Sequence, residues 1–362
     1  MLAWEQRKLG ELAEFNPKSK LPEKFEYVDL ESVVGTALIG HKTESIESAP
    51  SRAQRLAAYG DVFYQTVRPY QKNNYLYDLP YDNFVFSTGY AQMRPKNSGY
   101  FLLNLVQEEK FVNRVLERST GTSYPAINSN DLSRLSVKVP VEKKEQTKIG
   151  TFFKQLDETI TLQDRELELL KLTKKSFLQQ LFPDSQQISP NIRFANYHED
   201  WEQRKLGEVL RSHPLRTYLA EPIYGGEYEV IQQGDNPIIG TANGKPFAEY
   251  YSVILFGDHT VSLFKPQKPF FVATDGVKII SADNFDGNYL FTTLERYKPE
   301  SQGYKRHFTI LKNIDFCFTE NKNEQIKIGT FFKQIEETIS LQERKLKNLK
   351  IVKSAFLQKM FI

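Results

Sequence analysis

The chain has 362 residues, more than a single ordinary core requires, so we expect two domains with connecting elements. Hydrophobic residues make up 40% and charged residues 26% of the sequence, which excludes a disordered or membrane-embedded chain. One cysteine, Cys317, excludes an intrachain disulfide, and no signal-peptide or membrane-span pattern is visible, so we expect a cytoplasmic protein. The formal net charge is only +3, so affinity for a polyanion must come from local clusters or from partner subunits.

An internal duplication organises the chain. Trp4–Glu11 and Trp201–Glu208 both read WEQRKLGE. A longer pair of copies, residues 145–182 and 324–361, is identical at 24 of 38 aligned positions. The copies are about 180–200 residues apart, a period too long for a solenoid repeat. The chain therefore consists of two halves that arose from one duplicated unit. The predicted segments are head one (1–144), a first long helix (145–182), a linker (183–200), head two (201–323) and a second long helix (324–362).

Both long copies predict helices, since neither contains proline and Pro183 ends the first. Their apolar residues alternate by four and three positions, which predicts a heptad seam. The seam residues are Ile149, Phe153, Leu156, Ile160, Leu167, Leu170 and Phe177 in the first copy, and Ile328, Phe332, Ile335, Ile339, Leu346, Leu349 and Phe356 in the second. A single such helix would be interpreted as lying on a globular domain, but two matching copies favour an intramolecular coiled coil.

Polar residues interrupt this seam at equivalent places, Gln163 and Gln342, then Lys174 and Lys353. They either fix the register of the two helices or mark where a partner docks. Duplicated halves tend to pair about a pseudo-twofold axis, which would make the two helices antiparallel. The two heads would then hang at opposite ends of a helical rod.

The two heads diverge between the repeated flanks. Short apolar or β-branched runs separated by Gly, Asn and Asp turns predict many short strands with a few helices, and 101–118 is predicted helical. The predicted fold class is therefore two α+β domains joined by two long antiparallel helices. Two heads related by a twofold axis suit duplex DNA, which has local twofold symmetry. Because the two heads differ in sequence, the expected binding site is bipartite and asymmetric.

The order of the motifs then points to a family. WEQRKLGE, the EQxKIGTFFKQ helices, SRA…GDVFYQTVRP…STGYA…STGTSYPAIN in head one and VIQQGDNPIIGTANG…FGDHT…TDGVKI in head two span essentially the whole chain. Together they resemble the specificity subunits of type I restriction-modification systems. The resemblance implies a non-catalytic subunit that binds double-stranded DNA, two DNA adenine methyltransferase subunits and motor-nuclease subunits. S-adenosylmethionine, ATP and magnesium would lie on those partners, and no cofactor or metal is expected on this chain.

Candidate DNA contacts in head one lie on cationic residues and on small hydroxyl–glycine turns. Arginine can contact guanine bidentately or bind a phosphate, and turn hydroxyl groups suit phosphate oxygens. The candidates are Arg52, Arg55, Arg68, Ser87, Thr88, Thr120, Thr122 and Tyr124. The alternatives are surface charge without a role and turns that only close strands.

Candidate contacts in head two are amides able to bridge adenine, with nearby cations. They are Gln232, Gln233, Asn243, Lys245, His259 and Lys278. The Gly257–Thr260 and Asp275–Lys278 segments also superficially resemble acid–base or metal-binding sequences, but Asp-Gly turns are ordinary in hairpins. The histidines lack ligand spacing, so no metal site is predicted.

Two rival functions stay open. One is a structural scaffold whose heads bind proteins rather than DNA. The other is a stand-alone nuclease that uses acidic residues of head two.

Overall fold

The computed structural model describes residues 3–184, 187–303 and 305–361. Residues 1, 2, 185, 186, 304 and 362 lie outside this description, and with them the outer ends of the predicted segments 1–144 and 324–362 and part of the linker 183–200. The chain divides into two compact units: unit 1 is Met1–Asp164 with Arg344–Ile362, and unit 2 is Arg165–Glu343. Both long helices pass from one unit into the other.

Head one is a mixed α+β domain. Its strands are β1 (Trp4–Lys8), β2 (Ala13–Phe15), β3 (Lys24–Val28), β4 (Val33–Val34), β5 (Ala37–Leu38), β6 (Lys42–Ser45), β7 (Ala53–Leu56), β8 (Val62–Gln65), β9 (Tyr75–Leu76), β10 (Phe84–Ser87), β11 (Tyr90–Pro95) and β12 (Ser136–Pro140). Its helices are α1 (Leu9–Leu12), α2 (Gly99–Gln107), α3 (Glu109–Glu117) and α4 (Ser129–Ser133), with a 3-10 turn at Pro69–Gln71. The first long helix, α5, is Lys143–Gln180.

Head two follows with its own set of short elements. Its strands are β13 (Glu202–Lys205), β14 (Leu210–Ser212), β15 (Tyr228–Ile231), β16 (Ile238–Ala242), β17 (Ile254–Gly257), β18 (Leu263–Phe264), β19 (Phe270–Val272), β20 (Val277–Ala282) and β21 (Asp315–Phe318). Its helices are α6 (Leu206–Val209), α7 (Gly287–Tyr297) and α8 (His307–Lys312), with 3-10 turns at Arg216–Tyr218 and Tyr250–Ser252. The second long helix, α9, is Lys322–Met360.

The two heads share one topology although their sequences differ. The antiparallel sheet β2-β11-β8-β9 of head one corresponds to β14-β20-β17-β18 of head two. The order β6-β3-β10, with β3 parallel to β10, corresponds to β16-β15-β19, with β15 parallel to β19. The pair β1-β12 corresponds to β13-β21, while β7 extends only the sheet of head one among the described strands. The predicted α+β class is confirmed.

The predicted helix over 101–118 is two helices rather than one. The backbone of Glu108 is extended (φ −66°, ψ 137°), which ends α2 and begins α3. Its buried carboxylate accepts a hydrogen bond from the Phe111 N–H at 3.0 Å, so it caps the free N–H groups of α3. The apolar pattern runs through this break, which is why the sequence alone suggested a continuous helix.

Within unit 1 the long helices pair in opposite directions. The Phe152 and Phe356 rings lie 5.0 Å apart, and the Lys353 Nζ lies 2.6 Å from the Asp157 Oδ1. Further along α5, Asp164 meets Lys350 at 3.3 Å. Residue numbers rise along α5 as they fall along α9, so the pair is antiparallel.

Unit 2 repeats the same pairing with the equivalent residues. The Lys174 ammonium binds Glu336, as Lys353 binds Asp157 in unit 1. Lys171 Nζ lies 2.9 Å from Glu343, and the Phe177 and Phe331 rings are 5.1 Å apart. Lys174 is buried and also lies 2.5 Å from Glu295 of α7. The seam lysines are therefore ion-paired across the two helices in both units, which favours a role in fixing their register.

Most of the predicted seam residues are shielded from solvent. Ile149, Phe153, Leu167, Ile328, Phe332, Ile339 and Leu346 are buried, and Leu156, Ile160, Leu170, Phe177, Ile335 and Leu349 are half-buried. Phe356 keeps 39% of its surface exposed although its ring packs against Phe152. Burying such side chains contributes roughly 1.5–3 kcal/mol each before ordering costs, so the seam is a major source of stability in each unit.

Candidate nucleic-acid interface

The repeated helix segment EQxKIG holds each head on its long helix. A Cβ on Gly150 would lie 2.8 Å from the Phe101 backbone nitrogen, and one on Gly329 would lie 2.6 Å from that of Tyr289. Only glycine allows the first turn of α2 or α7 to approach the long helix so closely. The preceding glutamines add a tie, since Gln146 Nε2 donates to the Pro140 carbonyl at 2.9 Å and Gln325 Nε2 donates to that of Thr319 at 2.7 Å.

The other repeated motif, WEQRKLGE, contains the tryptophan against which the end of a long helix packs. Phe361, just after α9, packs on Trp4 at 6.5 Å and on Phe153 at 6.0 Å between ring centroids. In unit 2, Phe182 packs in the same way on Trp201 at 5.7 Å and Phe332 at 6.4 Å. Both sequence repeats therefore belong to one contact, which is built once in each unit.

The linker is anchored in unit 2 by a buried ion pair. The Arg193 guanidinium donates from Nε and Nη2 to the two carboxylate oxygens of Glu324, at 2.6 and 2.9 Å. Glu324 is fully buried at the start of α9, so this bidentate pair neutralises a charge that would otherwise be costly.

Two strand ends in each head are joined by the same backbone hydrogen bonds. In head one, the Thr66 N–H, after β8, donates to the Gly89 carbonyl, before β11, at 2.9 Å. In head two, the Asp258 N–H, after β17, donates to the Gly276 carbonyl, before β20, at 2.7 Å. A third segment closes each site, where the Thr66 carbonyl accepts from Ile127 at 3.0 Å and the Asp258 carbonyl accepts from His307 at 2.8 Å.

We call this site the strand-end edge. In head one it comprises 65–68, 87–89 and 119–127, and in head two it comprises 257–260, 274–276 and 306–307. Because the strand pairing is equivalent (Gln65 with Tyr90, Gly257 with Val277), positions in one edge correspond to positions in the other.

The strand-end edge of head one carries most of the candidates predicted there. The Thr88 N–H donates to the Arg52 carbonyl at 2.8 Å, which places the exposed Arg52 beside the 87–89 turn. Thr120 pairs with Ala126 through two backbone hydrogen bonds of 2.9 Å, and Thr122 is exposed in the same loop. Arg68 lies at the end of 65–68, with its guanidinium carbon 4.4 Å from the centre of the Tyr124 ring. These residues share one face of the head.

Two candidates of head one have different surroundings. Ser87 is buried and its hydroxyl oxygen accepts from the Gly89 N–H at 3.2 Å, so its side chain closes the turn. Arg55 lies in β7 opposite Phe86, where burial lowers the pKa of its guanidinium. Its Nε is buried and has no hydrogen-bond partner among the described residues, an arrangement that favours an anion as a binding partner.

Three of the residues predicted in head two lie in its strand-end edge or contact it. The Gln233 Oε1 accepts from the His259 N–H at 2.9 Å. The Lys278 Nζ donates to the Asp275 carbonyl at 2.7 Å and lies 3.7 Å from the Asp258 carboxylate. The Nδ1 of His259 is buried and unpaired among the residues that the structure describes.

The other head-two candidates lie on the β15–β16 hairpin and its flanks. The Gln232 amide donates to the Asn236 carbonyl at 3.1 Å, inside the connection between the strands. Asn243 Oδ1 accepts from the Glu227 N–H at 3.0 Å, and Lys245 is exposed after β16. These side chains lie outside the strand-end edge as defined above.

Asp258 and His307 form a structural brace. The buried Asp258 carboxylate accepts from the Phe308 N–H at 2.8 Å, at the start of α8. The His307 ring is buried between two backbone groups, with Nδ1 3.0 Å from the Asp258 carbonyl and Nε2 accepting from the Gln302 N–H at 2.9 Å.

The Asp275–Gly276 turn joins strands of two different sheets, so it is not a hairpin turn. Within 3–184, 187–303 and 305–361, no group of three or more His, Cys, Asp and Glu could hold a metal ion.

Several of the residues predicted from the sequence lie in the two edges or contact them, but the equivalence of the edges was not predicted. Ser87-Thr88-Gly89 and Thr274-Asp275-Gly276 share only a hydroxyl residue and a glycine, placed directly before equivalent strands. That spacing, compared between the two heads, was the sequence signal from which their equivalence could have been predicted.

In the described part of the chain, no helix is both long enough and apolar enough to cross a membrane.

Comparisons with known proteins agree with the duplicated architecture. A family model described as the type I restriction modification DNA specificity domain matches residues 1–172 and 198–350. The type I restriction enzyme HindI specificity subunit of Haemophilus influenzae is 21% identical over 222 residues, which are 58% of this chain and 47% of that protein. The match thus spans about half the length of this curated relative.

Two solved structures share the fold at low sequence identity. The type I restriction-modification S subunit from M. genitalium is 15% identical with a TM-score of 0.68, covering 100% of this chain and 96% of that one. A chain from a study of complex assembly and conformational transition of the type I R-M system is 22% identical with a TM-score of 0.56, covering 98% and 97%. With its two domain matches, the duplicated chain belongs to the type I restriction-modification DNA specificity family.

Proposed function

We propose that this chain is the non-catalytic DNA-recognition subunit of a type I restriction-modification complex, with each head reading one half of a bipartite, asymmetric target in double-stranded DNA. The observation that carries the proposal is the strand-end edge, which has the same backbone hydrogen bonds in both heads but different side chains. A shared backbone with different side chains is what two readers of different half-sites require.

The chemistry of the two edges supports different base preferences. Head one presents Arg68, whose fork of N–H groups matches the O6 and N7 acceptors of guanine. Head two presents Gln233, His259 and Lys278, a mixture of amide, imidazole and ammonium groups that suits other base edges and phosphates. Two identical heads would instead read two copies of one half-site.

The long helices support the presence of two copies of one partner, which we propose to be an adenine methyltransferase subunit. Unit 1 exposes Leu162 and Ile351, and unit 2 exposes Leu341 and Leu172. Leu162 is equivalent to Leu341 in the repeat, and Leu172 is equivalent to Ile351, so the same exposed apolar pair occurs once in each unit. Exposed apolar patches commonly mark interfaces. S-adenosylmethionine would lie on these subunits, and ATP and magnesium on motor-nuclease subunits.

The test is methylome sequencing of cells that carry this chain with its methyltransferase. We expect one split, non-palindromic motif with adenine methylation in each half. Exchanging residues 12–140 for the equivalent segment of another specificity subunit should change one half of the motif only, and exchanging the matched segment 209–319 should change only the other. A continuous motif, or a change in both halves after either exchange, would contradict the proposal.

A second assay separates DNA reading from a scaffold with protein-binding heads. The reconstituted complex is incubated with random DNA duplexes, and the bound fraction is sequenced. Enrichment of a split motif is expected, whereas equal recovery of all duplexes would favour the scaffold.

A further inference from the structure

The backbone of Arg68 is held in an unusual conformation at the strand-end edge of head one. It is left-handed (φ 54°, ψ 56°), a region that residues other than glycine seldom occupy. The Arg68 N–H donates to the Pro125 carbonyl at 2.7 Å, and Val67 forms a β-bridge with Ala126. The 119–127 loop therefore holds Arg68 in place, and strain of this kind is concentrated at functional sites.

The side chain of Arg68 is oriented, yet among the residues that the structure describes its guanidinium has no acceptor. Its guanidinium stacks on Tyr124, which keeps 62% of its surface exposed. Such a cation–π contact orients the planar group while leaving the N–H groups in its plane available. In the described part of the chain, no hydrogen bond or ion pair to this guanidinium is found.

Lys72 lies in the same loop as Arg68, but its cationic group is paired with a carboxylate. It follows the same 3-10 turn and is also left-handed (φ 55°). Its ammonium binds Glu109, and its carbonyl accepts from the Gln107 side chain at 3.0 Å. The loop is therefore attached to the helices at Lys72, while the Arg68 guanidinium lies over the exposed Tyr124 ring with no anion beside it in the described ranges.

We propose that Arg68, stacked on Tyr124, is the residue through which head one requires a guanine in its half-site. The inference rests on the proposed DNA-reading function and names the base and the reader. A fixed planar fork is what bidentate contact with O6 and N7 demands, whereas a phosphate can be bound by a flexible cation. The nearby Thr88 and Thr120 offer hydroxyl and backbone N–H groups of the kind that contact phosphates.

Head two has no arginine at the equivalent position. Counting from the paired strand ends, Thr260 corresponds to Arg68, and its hydroxyl lies 2.8 Å from that of Ser262. The guanine requirement set by Arg68 is therefore confined to the half-site of head one.

The test uses the full chain with its methyltransferase and a duplex library in which each motif position is varied. Arg68→Gln is expected to lower discrimination at one guanine of one half-site by roughly 5- to 150-fold, the range for loss of a bidentate base contact. The other half-site should be read as before. Arg68→Lys keeps the charge without the fork, so it should also lose the guanine preference while retaining most of the overall binding.

Variants of the ring test the stacking. Tyr124→Phe keeps the aromatic face and should preserve the guanine preference, while Tyr124→Ala should weaken it several-fold. Arg7→Gln serves as a charge-matched control, because Arg7 is partly exposed on β1 and paired with Glu5. It should leave the motif unchanged.

Two results would overturn the inference. One is an Arg68→Lys motif identical to the original. The other is an Arg68→Gln complex that binds all sequences more weakly by one factor with its motif intact, which would identify a phosphate contact. A wild-type complex that selects no motif would instead overturn the proposed function itself.

Discussion

Leaving aside β4, β5 and β7 of head one, the two heads have equivalent strand orders. They also have the same hydrogen bonds at the strand-end edge, but they stabilise that edge by different means. In head one the turn after β8 is braced by Thr66, whose N–H and hydroxyl both donate to the Gly89 carbonyl. In head two the equivalent residue, Asp258, is a buried carboxylate that caps the start of α8. The backbone arrangement therefore tolerates chemically unlike side chains, which leaves the exposed positions of each edge free to differ.

The repeated residues that attach the heads to the long helices do not tolerate unlike side chains in this way. A Cβ on Gly150 or Gly329 would clash with backbone atoms of the head, and Phe182 and Phe361 fill equivalent aromatic clusters. A change in one of these residues cannot be absorbed by a flexible neighbour. The repeated sequence thus marks contacts with strict geometry, and the unlike sequence marks surfaces without such a constraint.

The largest expected effect comes from removing the aromatic ring at the end of a long helix. Phe182→Ala should lower the free energy of unfolding of head two by about 3–5 kcal/mol, because Phe182 is fully buried against Trp201 and Tyr289. Phe361→Ala should have the equivalent effect on head one. Amide hydrogen exchange resolved by head provides the measurement.

The matched control for that pair is Phe356→Ala, since this ring is 39% exposed and should cost far less. Equal losses of protection in both heads after either substitution would show that the heads do not respond separately. The comparison between the two aromatic clusters would then fail.

The long helices and the seam followed from the sequence because a heptad pattern is a local property that survives without knowledge of the fold. The α+β class of the heads followed from the turn residues between short apolar runs. What could not be predicted depends on distant pairing. The contact of Phe361 with Trp4 joins residues near the two ends of the sequence, and the brace from Asp258 to Phe308 joins residues of two separate segments. Neither partner carries a local signal for the other.

A smaller effect is expected where the helices approach the heads. Gly150→Ala places a Cβ 2.8 Å from the Phe101 nitrogen, and Gly329→Ala places one 2.6 Å from that of Tyr289. Alanine favours a helix by about 1 kcal/mol over glycine, but overpacking against backbone costs about 1–3 kcal/mol. We therefore expect a net loss of stability of up to about 2 kcal/mol in the affected head, measured by denaturant unfolding and hydrogen exchange.

Gly40→Ala is the control for this pair, because a Cβ there meets nothing within 4 Å. It should leave stability nearly unchanged. If Gly150→Ala or Gly329→Ala raised the stability, helix propensity would outweigh the contact, and the close approach of α2 and α7 would not constrain these glycines.

The smallest expected effect is chemical and belongs to head two alone, since Cys317 is the one cysteine of the chain. Cys317 lies in β21 with its Sγ 3.5 Å from the Gln187 carbonyl, and burial raises the pKa of its thiol above the ordinary value of 9.0. The folded state therefore holds the proton after the unfolded state has released it, so head two should lose a little stability as the pH rises from 9.0 towards the raised pKa.

Thiol labelling of the native protein should be slow at pH 8, because the reactive thiolate is scarce and buried. Phe182→Ala should accelerate this labelling and Phe361→Ala should not, because only the first loosens the cluster around Trp201 in the head that contains Cys317. Rapid labelling of the unmodified protein would contradict the burial of the thiol, and equal acceleration by both substitutions would contradict a separate response of the two aromatic clusters.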